Sequence, residues 1–455
     1  MNNRRSFLLG SALFFAVACM LRVEPNTALA QTQTDAGQRR PKARAKPPDP
    51  EPETYDIPAE WEKQPEEQPR IIRWMVHPRR RGMFVNLPIV DTDPNRGITY
   101  GIMPIWVVQG ETDDRIRHIH APSVTYNETF RINSIYRYYY YPTKDSSLLL
   151  LASISQVVDK EFLAQYDDFR LLGTSFLTRF KLQSNINGAG RFYGIGPNTP
   201  SSGESNYVND TLNMSLLFGF PVYKDSRWYI HASQALNGQK VSNGPVDALP
   251  DIDKLYPLVA PAHRHQSSVA RLALNYDSRD NPITTAQGAY ADFFWETSQR
   301  RFASEYTYRH FGTDLRYFHR SRREPRLATA GRIRFQQMLG EGLPFWLLPQ
   351  LGGKYVHRAY GEGRYVDYGL LVASLEERFT LFEIKTAGVK TSYELDPFTE
   401  LGTVFDAPGK LARKYMRPVY GASLRAVAPP QVVGSVDFGV GQEGLSVFMD
   451  VNYSF

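Results

Sequence analysis

The chain has 455 residues, a formal net charge of +6, 22% charged residues and a single cysteine, Cys19. One cysteine excludes an internal disulfide framework and a cysteine-built metal centre, and basic residues interspersed with acidic ones exclude a nucleic-acid-binding face. Mean hydropathy is −0.40, and nothing after Leu21 offers the roughly 18 consecutive apolar residues of a transmembrane helix, so only strands could carry this chain across a bilayer.

Residues 1–30 read as a cleavable export signal, with Arg4 and Arg5 at the start, an apolar stretch over 7–21 and the small-x-small site Ala28-Leu29-Ala30. A rival cut before Cys19, of lipoprotein type, places Ala16 where Leu is preferred. With Cys19 inside the signal, the mature chain carries no thiol. Residues 31–94 form a Pro-rich, charged tail, basic over 39–46 and acidic over 47–56. Such a composition cannot bury a core, and a mostly disordered periplasmic tail is expected. Arg79-Arg80-Arg81 at its end reads as a solvated run near the membrane surface, or as a docking site for an acidic partner. A periplasmic or lipoprotein partner would engage this tail.

From about residue 95 to Phe455 the texture changes to short alternating runs broken by Gly, Pro, Asn and Asp. Ala270, Leu272, Leu274 and Tyr276 alternate with Arg271, Asn275 and Asp277; Val389, Thr391, Tyr393 and Leu395 alternate with Lys390, Ser392, Glu394 and Asp396. In the final run Leu445, Val447, Met449, Val451, Tyr453 and Phe455 form an apolar row that only Phe448 breaks. Period two with one greasy face is a lipid-facing strand, and 27 Tyr, 26 Phe and 6 Trp supply the aromatic girdles of such a barrel. The expected fold is all-β: a 16-stranded antiparallel transmembrane β-barrel over 95–455, with strands at 99–109, 117–127, 146–165, 171–184, 302–320, 366–382, 387–405 and 445–455 among them. Long connections at 184–206, 242–265 and 340–365 fall on the outer side, and short ones at 127–128, 223–227 and 428–431 on the periplasmic side, as outer-membrane barrels require. Outer-membrane lipid is then the first partner, and the cell outer membrane the location.

Three segments resemble the bacterial surface antigen (BamA/TamA) superfamily of outer-membrane barrels. Asp277-Ser278-Arg279-Asp280-Asn281-Pro282, followed by Gly288, is similar to its periplasmic turn, which singles out Asp277, Arg279 and Asp280. Gly352-Gly353 with His357-Arg358-Ala359-Tyr360 resembles its inward-folding loop motif. Glu376-Glu377-Arg378-Phe379 and Phe398-Thr399-Glu400-Leu401-Gly402 resemble the strand motifs that receive that loop. Arg191-Phe192-Tyr193-Gly194-Ile195-Gly196 and the terminal Phe455, a C-terminal assembly signal in this family, also fit. The resemblance implies that Arg358 enters the lumen and pairs with Glu376 and Glu400, with Gly352, Gly353, Tyr360 and Arg378 shaping the same site. Strand phase agrees: with Leu371, Ala373, Leu375 and Phe379 outward, Glu376 and Arg378 point inward, and so does Glu400. Two departures stand out. Ala359 occupies a position where the family has Gly, which matters if the backbone there is left-handed. No periplasmic domain of the family's POTRA type is legible ahead of the barrel.

Two function classes follow. One is membrane-protein assembly or protein translocation through a lateral seam, with Pro104 in the first expected strand as an edge marker. The other is a passive pore or a structural or binding barrel that shares only the fold. No Ser/His/Asp order or Gly-rich phosphate cradle suggests an enzyme, and no cofactor is expected. The pairs His118/His120 and His263/His265 lack an evident third ligand, so no metal is expected either.

Overall fold

The computed structural model describes residues 62–63, 76–79, 82–110, 115–257, 263–386, 389–428, 432–450 and 453–455. The expected signal peptide lies outside the described residues, as does most of the tail. Eighteen antiparallel strands follow one another around a barrel. These are β1 (Gly82–Asp91), β2 (Thr99–Gln109), β3 (Ile116–Asn127), β4 (Arg131–Tyr140), β5 (Ser146–Ser155), β6 (Lys160–Asp168), β7 (Leu177–Phe192), β8 (Ser205–Pro221) and β9 (Trp228–Asn243) in the first half. The second half comprises β10 (His265–Asp277), β11 (Gly288–Ser298), β12 (Tyr308–Arg320), β13 (Leu327–Leu339), β14 (Gly369–Thr386), β15 (Val389–Phe405), β16 (Arg417–Ala428), β17 (Val432–Gly441) and β18 (Gly444–Asp450). No helix among the described residues is long and apolar enough to cross a membrane; the strands do so.

Side-chain alternation is as the sequence implies. On β10, Leu272 and Leu274 are exposed to lipid while Ala273 and Asn275 are buried inside. On β14, Leu375 and Phe379 face out, and Glu376 and Arg378 are buried.

The barrel nevertheless has two strands more than the sixteen expected. The run at 146–165 is a hairpin: β5 and β6 pair from Ser146↔Asp168 to Ile154↔Lys160, and the turn closes where Ser155 N–H donates to the Asp159 carbonyl at 2.8 Å. The tail boundary at 94 also fails. β1 pairs with β2 from Gly82↔Val108 to Asp91↔Thr99, Val76–Arg79 pairs back on β1, and Glu62–Lys63 adds in parallel beside Glu383–Ile384 of β14. Residues Met83, Val85, Leu87 and Ile89 are as apolar as Phe84, Pro88 and Val90 between them, so β1 shows no period of two to read.

These two strands also correct the parity. The turn at 128–130 lies at the same end as the long connections 193–204, 244–264 and 340–368. Asn127 there donates to the Arg96 carbonyl at 2.8 Å, and Arg96 pairs with Asp159 at 2.5 Å. The short links at 222–227 and between Ala428 and Val432 occupy the other end. Loop asymmetry makes the first end the outer one. Smaller shifts follow at element ends: β7 begins at Leu177 after a short turn at Leu171–Gly173, β12 begins at Tyr308, and β18 stops at Asp450.

Replacing a lipid-facing residue near the middle of a strand with a charge tests the assigned faces. Leu272→Arg is expected to destabilise the barrel by about 2–4 kcal/mol, read from denaturant unfolding in lipid vesicles. An unchanged midpoint would put Leu272 in the lumen.

Candidate functional site

The connection 340–368 leaves the outer rim and turns back into the barrel. Within it Gln350–Leu351 pairs antiparallel with Tyr365–Val366, which narrows the segment to a finger whose tip is 352–364. Gly352 and Gly353 start the tip with φ of +125° and +86°, and a Cβ on Gly352 would come within 2.0 Å of the Gly361 carbonyl. Only glycine suits that turn. Ala359 takes no positive φ, which explains why the departure from glycine is tolerated. The wall makes room for it: a Cβ on Gly441 would sit 2.9 Å from the Ala359 Cβ, and one on Gly439 would lie 2.0 Å from the Arg358 carbonyl oxygen.

At the tip Arg358 is fully buried. Its backbone N–H and Nε donate to the two oxygens of Glu400, each at 2.7 Å. Its Nη1 donates to Glu376 Oε2 at 2.8 Å, and the guanidinium lies 3.5 Å from the centre of the Phe398 ring. His357 is fully buried too; its Nε2 meets the Arg417 carbonyl at 3.0 Å, and its ring stacks on Tyr360. The Tyr360 hydroxyl accepts the Gln442 N–H at 3.1 Å. Arg358, Tyr360, Glu376, Glu400, Gly352 and Gly353 thus lie together at the inner wall.

Three further charged residues complete the site, none of them singled out from the sequence: Arg425, Asp396 and Asp437. Arg425 on β16 donates to both oxygens of Glu376, at 2.8 and 3.1 Å, and to Asp396 on β15. Asp437 on β17 lies 3.4 Å from Arg425 and 3.7 Å from Arg358. Arg378, expected here, donates to Glu376 Oε1 at 2.9 Å. Glu376 therefore receives three guanidinium groups in a buried setting. Charge-assisted bonds of this kind are short and strong, but only a complete set offsets the desolvation of the ions.

Arg378 links this centre to the periplasmic end. Its Nη1 donates to the Thr285 carbonyl at 2.8 Å, and Thr285 belongs to the turn that Asp277, Arg279 and Asp280 build. There Arg279 pairs with Asp277 at 2.7 Å, and Asp280 accepts N–H groups from Asn281 and Ala286 at 2.9 and 3.0 Å. Arg378 Nη2 donates to the Phe455 carbonyl at 3.2 Å. The C-terminus is consequently not the end of a lipid-facing strand: Tyr453 is buried and donates to Glu394 at 2.8 Å, its ring 3.8 Å from the Arg378 guanidinium. Phe448, the break in the apolar row, is also buried and faces the lumen. The outer motif Arg191–Gly196 seats the finger's base, with Gly196 donating to the Val366 carbonyl at 2.8 Å and Phe192 against Phe345.

Arg358→Ala leaves buried carboxylates without their cation and is expected to cost about 3–5 kcal/mol in unfolding of the detergent-solubilised barrel. Arg358→Lys, which cannot span Glu376 and Glu400 together, is expected to cost less. Glu376→Gln, which touches three arginines, should be more damaging than Glu400→Gln; the reverse order would displace Glu376 from the centre of the network.

Comparison with known proteins bears on this arrangement. The family model for the Omp85 superfamily domain matches residues 130–441. No curated protein matches at a significant level. Similar solved structures include BamA from Haemophilus ducreyi lacking POTRA domains 1–3, at 15% identity and TM-score 0.49, covering 80% of this chain and 74% of that one. CdiB from Escherichia coli aligns at 11% identity and TM-score 0.48 over 76% of this chain and 66% of its own. CdiB from Acinetobacter baumannii aligns at 10% identity and TM-score 0.41 over 80% and 59%. The chain thus spans less than two thirds of either CdiB. With more than half of its length matched by the family model, this outer-membrane β-barrel chain belongs to the Omp85 superfamily.

Proposed function

We propose that this barrel assembles or translocates proteins through a lateral seam between β1 and β18. The observation that carries the reading is the weakness of that one junction. Every other pair of neighbouring strands forms a ladder; the shortest runs from Ser435↔Asp450 to Gly441↔Gly444. Among the described residues β1 and β18 share a single bridge, Thr92↔Val447, and Val76–Arg79 pairs with Gly82–Val85 on the edge of β1 that β2 leaves free. Side chains supplement the bridge: Thr92 Oγ1 donates to the Val447 carbonyl at 2.7 Å, Val90 N–H points at Met449 Sδ at 3.2 Å, and Met449 N–H donates to Asp91 at 3.2 Å.

Proline placement supports an openable edge. Val90 turns its N–H to the seam, so Pro88, two residues earlier on the same strand edge, leaves a missing donor there. Pro104 is not the seam proline expected from the sequence. It sits in β2, opposite Pro122 of β3, where the ladder skips from Ile102↔Val124 to Trp106↔His120. Unpaired backbone groups are costly in lipid, so an edge left thin in this way favours an incoming client strand that completes it. The finger reaches both flanks of the seam: Ser446 of β18 donates to the Ala359 carbonyl at 3.0 Å, and Asn95 beyond β1 donates to the Glu362 carbonyl at 2.8 Å. A finger and a C-terminus bonded to the inner wall, through Arg358 to Glu376 and Glu400 and through Tyr453 to Glu394, weigh against the passive-pore alternative.

Cysteines at Thr92 and Val447, in a Cys19→Ala background, test the reading, because bridge partners lie within the span of a disulfide. Oxidation is expected to arrest delivery of client barrels into vesicles containing the protein, and reduction to restore it. Equal delivery with the seam locked would overturn the seam, and delivery no better than in vesicles lacking the protein would leave a structural or binding barrel instead.

A further inference from the structure

The pair His263/His265 acquires in the structure the third donor that the sequence does not reveal. Glu305, from the outer turn 299–307 between β11 and β12, places Oε2 3.3 Å from His263 Nε2 and in hydrogen-bond contact with His265 Nδ1. These donor atoms lie within 4.8 Å of one another. We propose that His263, His265 and Glu305 bind a divalent transition-metal ion of the zinc class at the outer rim of the barrel.

The carboxylate is aimed rather than adventitious. Its other oxygen accepts the Gln266 N–H at 3.1 Å, and the Glu305 N–H donates to the Gln266 carbonyl at 2.9 Å. One residue earlier, Ser304 is buried; its hydroxyl accepts the Ser268 N–H at 2.7 Å and donates to the Ser268 carbonyl at 3.2 Å. The turn is thereby pinned over the start of β10, and Oε2 is the oxygen left for the imidazoles. The two rings are 4.3 Å apart. A tetrahedral zinc with bonds of about 2.0–2.2 Å sets its donors roughly 3.3–3.5 Å apart, so His263 Nε2 already stands at a suitable distance from Glu305 Oε2, and the ion would take the place of the hydrogen bond between the carboxylate and His265. His265 is mostly enclosed, between Tyr306 and Trp346.

Two imidazoles and one carboxylate form a borderline ligand set that suits zinc, with a fourth position open to water. The ion would fasten the connection 244–264 to the turn 299–307 beside Trp346 of the inward loop. His118 and His120 make the contrast: they sit on β3 with Nδ1 engaged by the hydroxyls of Tyr138 and Tyr136 at 2.8 and 2.7 Å, and among the described residues no carboxylate joins them, whereas His265 Nδ1, also 3.2 Å from the Tyr306 hydroxyl, meets Glu305.

The test is calorimetric titration of the full mature chain, untagged and in nanodiscs, with zinc chloride, and with cobalt(II) as a visible probe. One equivalent of zinc should bind, and cobalt should give the intense visible absorption of a four-coordinate site. His263→Ala, His265→Ala and Glu305→Gln should each weaken zinc at least tenfold while retaining the heat-modifiable gel mobility of a folded barrel. His118→Ala/His120→Ala should bind as the parent does. Absence of stoichiometric binding, unchanged affinity in His265→Ala or Glu305→Gln, or loss on replacing His118 and His120 instead would overturn the assignment.

Discussion

A carboxylate buried among three guanidinium groups organises this molecule. Glu376 accepts from Arg358, Arg378 and Arg425, and none of these four side chains is more than slightly exposed. An isolated ion in such a place is strongly disfavoured, and removing one partner from a buried set leaves the rest uncompensated. The interaction is therefore conditional. The wall strands β14 and β16 bring Glu376 and Arg425, but Arg358 can complete the set only if its loop folds into the lumen, and Arg378 ties in the C-terminus and the turn carrying Thr285. One charge centre thus dictates where three chain segments go.

The result is a barrel with unequal sides. β14 to β18 are laced to the contents of the lumen, and the glycines at 402, 439 and 441 let those contents approach the wall closely. Around β1 to β3 the ladder is thinned by Pro88, Pro104 and Pro122 and, among the described residues, ends in one bridge to β18. The finger touches the rigid side through Ala359 and the thin side through Glu362, so its docking and the state of the seam share the same few bonds.

Much of the centre is legible in the amino-acid sequence. Strand phase turns Glu376, Arg378 and Glu400 inward, and the family resemblance supplies Arg358 as their partner. Arg425, Asp396 and Asp437 escape such a reading, because alternation says which face a residue takes but not which residues meet across a lumen; that depends on register between strands distant in sequence. β1 is hidden for a different reason: apolar residues on both of its faces erase the period of two. The hairpin at 146–168 is hidden because four connecting residues, 156–159, do not interrupt an alternating run. Phe455 misleads by continuing the alternation of β18 past Asp450, although the chain leaves the wall and is held inside by Arg378 and Glu394.

Whether the Glu376 network holds the finger in the lumen can be read from thiol protection. In a Cys19→Ala background, Ala359→Cys places a small thiol at the buried tip, and a bulky water-soluble maleimide reports its exposure in the barrel reconstituted in nanodiscs. The account predicts that position 359 resists labelling, and that adding Glu376→Gln exposes it to labelling at the rate of a cysteine at Leu411 on the outer rim. Rapid labelling of Ala359→Cys with Glu376 intact, or equal protection with and without it, would contradict a loop held in place by this carboxylate.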